Sequence, residues 1–184
     1  MGKRTTKAPE EENLENVGQE TTVDNNGIRC VATDDNDGVA LVDSDGQTLL
    51  VVALNEAELA FGGDESQDLE EDVASPSMTE LDGEQRSAFL IDFYRREEKA
   101  IPALDACAEY GWLPSGGEMA LIFANKMAIN EVIESLGGTP IGEGRYWTSE
   151  RFSNDHIWNC NMADGTFGIA LGTASVAGVR AVKK

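Results

Sequence analysis

One histidine, three cysteines and 34 carboxylates are the groups in this 184-residue chain that could do acid–base, nucleophilic or metal chemistry. His156 follows Asp155, with Ser149 and Ser153 close by. A Ser–His–Asp hydrolase needs its serine on a strained turn of the G-x-S-x-G type, and neither serine has that setting. His156 is therefore read as a surface residue. Cys30, Cys107 and Cys160 are odd in number, far apart and without C-x-x-C spacing. Buried free thiols are expected rather than a zinc site or a disulfide framework. Asp35-Asn-Asp37-Gly38 opens like a calcium loop, but positions one and twelve would fall on Thr33 and Ser44, which lack carboxylates. No phosphate-cradling G-x-x-x-x-G-K, no G-x-G-x-x-G before a helix and no H-E-x-x-H is present. The expectation is no catalytic residue, no metal and no cofactor.

The carboxylates are better read as a field than as a site. Net charge is −20, and residues 9–82 account for all of it, with 21 acids against one base, Arg29. Such runs are solvated, and a solvated carboxyl keeps its ordinary pKa and makes a poor general acid. The same field argues against nucleic acid or an anionic membrane as partner, since both require a basic surface. No apolar run reaches about 18 residues, so no membrane insertion is expected. The first ten residues are charged with no apolar stretch behind them, so no secretory signal peptide is read there. That leaves the compartment open, with a phage virion or surface display by another route as the options.

The elements follow from pattern. Residues 1–26 are acidic and poor in large apolar groups, which predicts a disordered arm. A strand is expected over Ile28–Ala32. A β-hairpin is expected over Gly38–Leu54, its turn supplied by Asp43-Ser-Asp-Gly46. Residues 62–82 read as an acidic loop. Asp82-Gly-Glu-Gln85 has a capping pattern before the helical spacing of Phe89, Leu90 and Phe93. A second helix spans about Ile101 to Tyr110. Ser115-Gly-Gly-Glu118 is a capping box opening a third stretch, which Asn125-Lys126 can divide and Gly137-Gly138 ends. From Tyr146 onward, short alternations predict strands: Trp158, Cys160 and Met162 on a buried face, with Asn159 and Asn161 pointing to solvent. The order β, α, β gives an α+β domain over residues 27–184, its hairpin segment at 27–61.

Several ordered motifs in the back half carry a resemblance. They are Trp112-Leu-Pro-Ser115 with Glu118, Gly137-Gly-Thr-Pro140, Tyr146-Trp-Thr-Ser149, Trp158 with Asp164-Gly165, and Val179-Arg-Ala-Val182. Over about residues 80–184 the chain resembles C-type-lectin-fold domains related to formylglycine-generating enzyme. It departs from their pattern in lacking a residue between Trp112 and Leu113 and in having Ala181 for proline. Within that superfamily it is most similar to the variable proteins of diversity-generating retroelements. The resemblance implies a C-type-lectin-like fold, with helices on short twisted antiparallel strands, and a core containing Trp112, Trp147, Trp158 and Phe123. It also implies that residues 146–184 form a diversified face for an unknown protein or cell-surface ligand. Randomising the first two bases of AAC codons cannot produce Lys, Glu, Gln, Met or Trp. Between Arg151 and Val179 only Trp158 and Met162 belong to that set.

The residues expected on the display face are Arg151, Phe152, Asn154, Asp155, His156, Asn159 and Asn161, then Thr166, Gly168, Ala170, Thr173 and Ser175. Their mixture of aromatic, amide, acidic and small side chains suits a protein-binding surface. No calcium is implied, because Trp158-Asn159-Cys160 replaces the Trp-Asn-Asp of sugar-binding lectins. Two other readings stand beside this one: a non-diversified adhesin or structural domain of the same fold, and a formylglycine-generating-type enzyme with a cysteine-centred site. Homo-oligomerisation stays open.

Overall fold

A computed structural model of the chain describes residues 22–23, 27–62, 82–153 and 155–184. It is an α+β structure of two five-stranded sheets and four helices among the described residues. Most of the expected arm (1–26) and of the expected acidic loop (62–82) lies outside the described residues.

The first sheet holds β1 (Thr22–Val23), β2 (Arg29–Ala32), β3 (Gly38–Val42), β4 (Thr48–Ala53) and β10 (Val182–Lys183), in that spatial order and all antiparallel. Thr22–Val23 lies within the segment expected as arm, yet pairs with Cys30 and Arg29, so the sheet takes in part of that segment. The β3–β4 turn forms as its residues dictate. Asp43 Oδ1 accepts from the Asp45 and Gln47 N–H groups, and Gly46 takes the left-handed φ of 83°.

The second sheet runs β5 (Ala57–Ala60), β9 (Val176–Val179), β6 (Arg145–Arg151), β7 (His156–Asn161), β8 (Phe167–Leu171). Its pairs are antiparallel except β6 with β9. β5 has no strong sequence signal and finds its place by pairing with β9.

The helices are α1 (Gly83–Arg96), α2 (Pro102–Ala108), α3 (Gly116–Ala124) and α4 (Lys126–Ser135). The capping box of α3 is complete: Glu118 N–H donates to Ser115 Oγ, and Ser115 N–H donates to Glu118 Oε2 at 2.8 Å. The pattern at Asp82 is not a cap. Its carboxylate turns to Arg86 Nε at 2.5 Å, leaving the helix N–H groups of α1 without it. Asn125 separates α3 from α4. Gly137, at φ 73°, closes α4 with Gly138 N–H on the Ile133 carbonyl and its own N–H on Glu134.

Two apolar clusters grip the second sheet from opposite faces. Tyr146, Cys160 and Met162 join Met119, Ile122 and Ile129 of α3 and α4 and Val39, Leu41 and Val52 of the first sheet. Trp147, Ile157 and Val179 join Leu90 and Tyr94 of α1, Leu104 and Cys107 of α2, and Phe61. Arg180, 1% exposed, ties the assembly together. Its guanidinium donates to the carbonyls of Ala53, Leu54 and Thr139 and pairs with Glu56, which also accepts from Tyr146 Oη at 2.7 Å.

Candidate ligand-binding face

The C-terminal strands sort the expected display residues into three groups. The first gathers where β6 turns into β7. Phe152 is 52% exposed and meets half-buried Trp158 edge-on, with ring centroids 5.4 Å apart. Ser153 Oγ donates to Asp155 Oδ1 at 2.9 Å, and His156 Nδ1 lies 2.6 Å from the same oxygen. These hydrogen bonds, His156's first, hold the Asp155 carboxyl below the usual carboxylate range. The β8–β9 turn closes onto this end, with Gly172 N–H donating to Asp155 O, so Thr173 and Ser175 belong to the same region. Asn154 lies outside the described residues.

Ser153, Asp155 and His156 do not form a relay. Ser153 Oγ, at 3.3 Å, and Asp155 meet the same ring nitrogen, so a proton taken from serine could not pass across the imidazole to the acid. The cluster can hydrogen-bond a ligand and supply one ionised carboxylate. Cys107 and Cys160 sit in different apolar clusters, and burial pushes their thiols up to about 12 and about 11. At neutral pH they are packing groups. Among the described residues no three His, Cys, Asp or Glu side chains are arranged to hold a metal ion.

The second group lies at the opposite end of β7 and builds a turn. Asn161 Oδ1 accepts from Ala163 N–H, and Asp164 Oδ1 accepts from Thr166 N–H and, at 2.6 Å, its hydroxyl. Those bonds, the Thr166 hydroxyl's first, lower the Asp164 pKa. Asn161 is half-buried and Thr166 exposed.

The third group corrects the expectation. Asn159 is 1% exposed, not solvent-facing, and its Oδ1 accepts from Arg145 Nη1 at 2.7 Å. Arg151 is buried, its guanidinium 5.4 Å from the Tyr94 ring centroid and its Nε donating to Ser153 O. Desolvation lowers its pKa, as it must for a buried cation. Gly168 and Ala170 are half-buried on the Asn159 face, Ala170 against the Trp147 cluster and Gly168 under Arg145. Trp158, expected in the core, is only half-buried. The common cause is that β7 is a central strand. Its alternating sides are both covered near Cys160, whereas the side carrying Trp158 opens toward its other end. Opposite Trp158 on β8 stands Ile169, 43% exposed. Its exposure had no local signal, because an apolar residue between Gly168 and Ala170 has the spacing of a buried strand face.

A separate cavity of about 420 Å³ lies between the sheets beside α2, lined by Ala53, Cys107, Tyr110 and Val179 among others. Its carboxylates are engaged, Asp37 with Lys183 and Glu56 with Arg180 and Tyr146, and none of the expected display residues lines it.

No protein-family model matches the sequence, and no curated protein matches it. The fold is similar to that of a fimbrial protein from Bacteroides ovatus ATCC 8483, with a TM-score of 0.61 at 14% identity over 73% of this chain. The match covers 35% of the fimbrial protein's chain, so this chain spans about a third of that length. The likeness is one of fold. Among the described residues no helix is long and apolar enough to cross a membrane.

Proposed function

We propose that this chain is a C-type-lectin-like display domain, and that its β6–β7 and β8–β9 turns with the outer part of β7–β8 bind a protein or surface receptor. One observation carries the reading. Phe152, Asp155 and His156 converge with Trp158 and Ile169 on an open patch, while the neighbouring Tyr146, Trp147, Cys160 and Met162 are 0–3% exposed. Variable side chains on one side of a fixed core are what a diversified binder requires. The motifs behind the resemblance also meet one another. Trp112 Nε1 donates to Glu118, Ser149 N–H donates to Pro114 O, and Trp112 bridges to Val182.

The corrected binding set is Phe152, Asp155, His156, Thr173 and Ser175, with Trp158 and Ile169 as a fixed apolar floor. A library randomised at those five positions should stay folded and yield binders to different protein targets. If most members fail to fold, the positions are structural and the reading falls. The likeness to a fimbrial protein favours a second reading, an adhesin or structural domain with a fixed face. A near-copy of the gene's last part beside a reverse transcriptase gene decides between the two.

A further inference from the structure

Among the described residues β8 is an edge strand, and it lacks the usual defences of one. The first sheet ends in two-residue strands, and the second sheet's other edge, β5, carries Glu58 and packs against α2. β8 has five residues, Phe167-Gly-Ile-Ala-Leu171, with no charge, proline or register shift. Its hydrogen-bond phase follows from the two bonds bracketing it, Asn161 N–H to Thr166 O and Gly172 N–H to Asp155 O. Even-numbered residues therefore bond to β7, and Phe167, Ile169 and Leu171 turn their backbone groups outward. Leu171 O accepts from Ser175 N–H. The N–H and C=O of Phe167 and Ile169 and the N–H of Leu171 have no partner among the described residues. The side chains of these three residues lie on the Trp158 face of the sheet.

Charge selects the occupant. Aspartates flank both ends of the edge, Asp164 beside Thr166 and Asp155 opposite Gly172. A second copy pairing antiparallel through β8 would set Asp164 against Asp155 at both ends, on chains of net charge −20. We propose that β8 accepts an added strand from a partner protein, an extended segment with alternating apolar residues and a lysine or arginine near each end. This rests on the display-face reading and says how that face takes its ligand. The open backbone groups supply hydrogen bonds, and Ile169, Trp158 and Phe152 receive the apolar side chains. The basic residues belong about six positions apart, roughly 20 Å at 3.4 Å per residue.

The probe is the blocked peptide Thr-Lys-Val-Thr-Val-Thr-Val-Lys-Thr, titrated against the full chain. Saturating peptide should slow hydrogen exchange at the amides of Phe167, Ile169 and Leu171. N-methylating one alternate set of peptide amides should weaken binding about tenfold or more and the other set far less, since only one set bonds to the edge. Replacing both lysines by glutamate should weaken it about tenfold at low salt. Ile169→Lys should abolish binding, and the methylated peptides make the same test without altering the protein. The proposal is overturned if no binding occurs at millimolar peptide, if the three amides stay unprotected, or if both methylated sets behave alike. A peptide-free dimer through β8 in sedimentation overturns the choice of occupant. If the peptide fails while the five-position library still yields binders, strand addition falls and the display reading stands; if the library fails to fold, that reading falls as well.

Discussion

Glu150 gives the sharpest test of how the scaffold is held. It lies on β6 with its side chain fully buried, and neither carboxylate oxygen makes a close hydrogen bond. Arg86 Nη1 is 3.8 Å away and is itself engaged with Asp82. Burial pushes the Glu150 carboxyl up to about 6, and the Gly116 N–H and Arg86 offset burial only in part. The folded pKa therefore exceeds the ordinary value of 4.5, so the folded state holds this proton more tightly than the unfolded state. Stability contributed by this group is present below about pH 4.5 and is lost as pH rises through 6. A rise of about 1.5 units at 1.36 kcal/mol each is worth about 2 kcal/mol. Glu150→Gln removes the titration and keeps the shape. Urea denaturation of both proteins from pH 4.5 to 7.5 should show the difference moving by about 2 kcal/mol in favour of glutamine as pH rises. Asp155 and Asp164 titrate in both proteins and cancel, as does Glu118 apart from its coupling to Glu150. A difference flat within about 0.5 kcal/mol, or sloping the other way, refutes the reasoning.

Three further substitutions probe the placement of side chains, all read by chemical denaturation. Arg180→Met strands Glu56 and three carbonyls and should cost about 3–5 kcal/mol; a loss under about 1 kcal/mol means the hub is not formed. Asn159→Tyr should cost about 1–3 kcal/mol by overpacking a closed site, whereas Phe152→Ala should cost no more than about 1 kcal/mol, the value of its edge contact with Trp158; equal costs would contradict the assignment of faces. Trp147→Ala should cost about 3–5 kcal/mol and Trp158→Ala about half that, because only the first is enclosed; the reverse order would place the core on the other side of β7.

Local signals in the sequence carried much of this fold. The Ser115–Glu118 box, the Gly137 stop and the Asp43–Gly46 turn are each set by residues within a few positions, and each forms as its chemistry dictates. Asp82 shows the limit of that logic. A capping residue type at the same spacing faced a competing cation one turn on, and Arg86 took it. β5 was illegible because Ala57-Glu-Leu-Ala60 has no strand pattern of its own and is ordered by β9. The Arg180 hub spans partners more than 120 positions away in the chain, so no spacing could announce it.

The error at Asn159 has a different origin, and it decides where a ligand can sit. Alternation of Trp158, Asn159, Cys160 and Asn161 predicts one apolar face and one wet face, the rule for a strand with a single covered side. β7 has neighbours on both edges and clusters on both faces, so Asn159 is enclosed with Arg145 as its partner while Trp158 reaches the opening. A polar residue in a central strand is affordable wherever a nearby donor satisfies it, and a large aromatic can stay half-buried where its face of the sheet is incompletely covered. The proposed binding surface therefore moves from the amides of β7 to its apolar side and to the edge beside it. That displacement replaces a set of solvated hydrogen-bonding groups with an aromatic floor next to backbone groups that have no partner among the described residues, which is the kind of surface the proposed extended polypeptide requires.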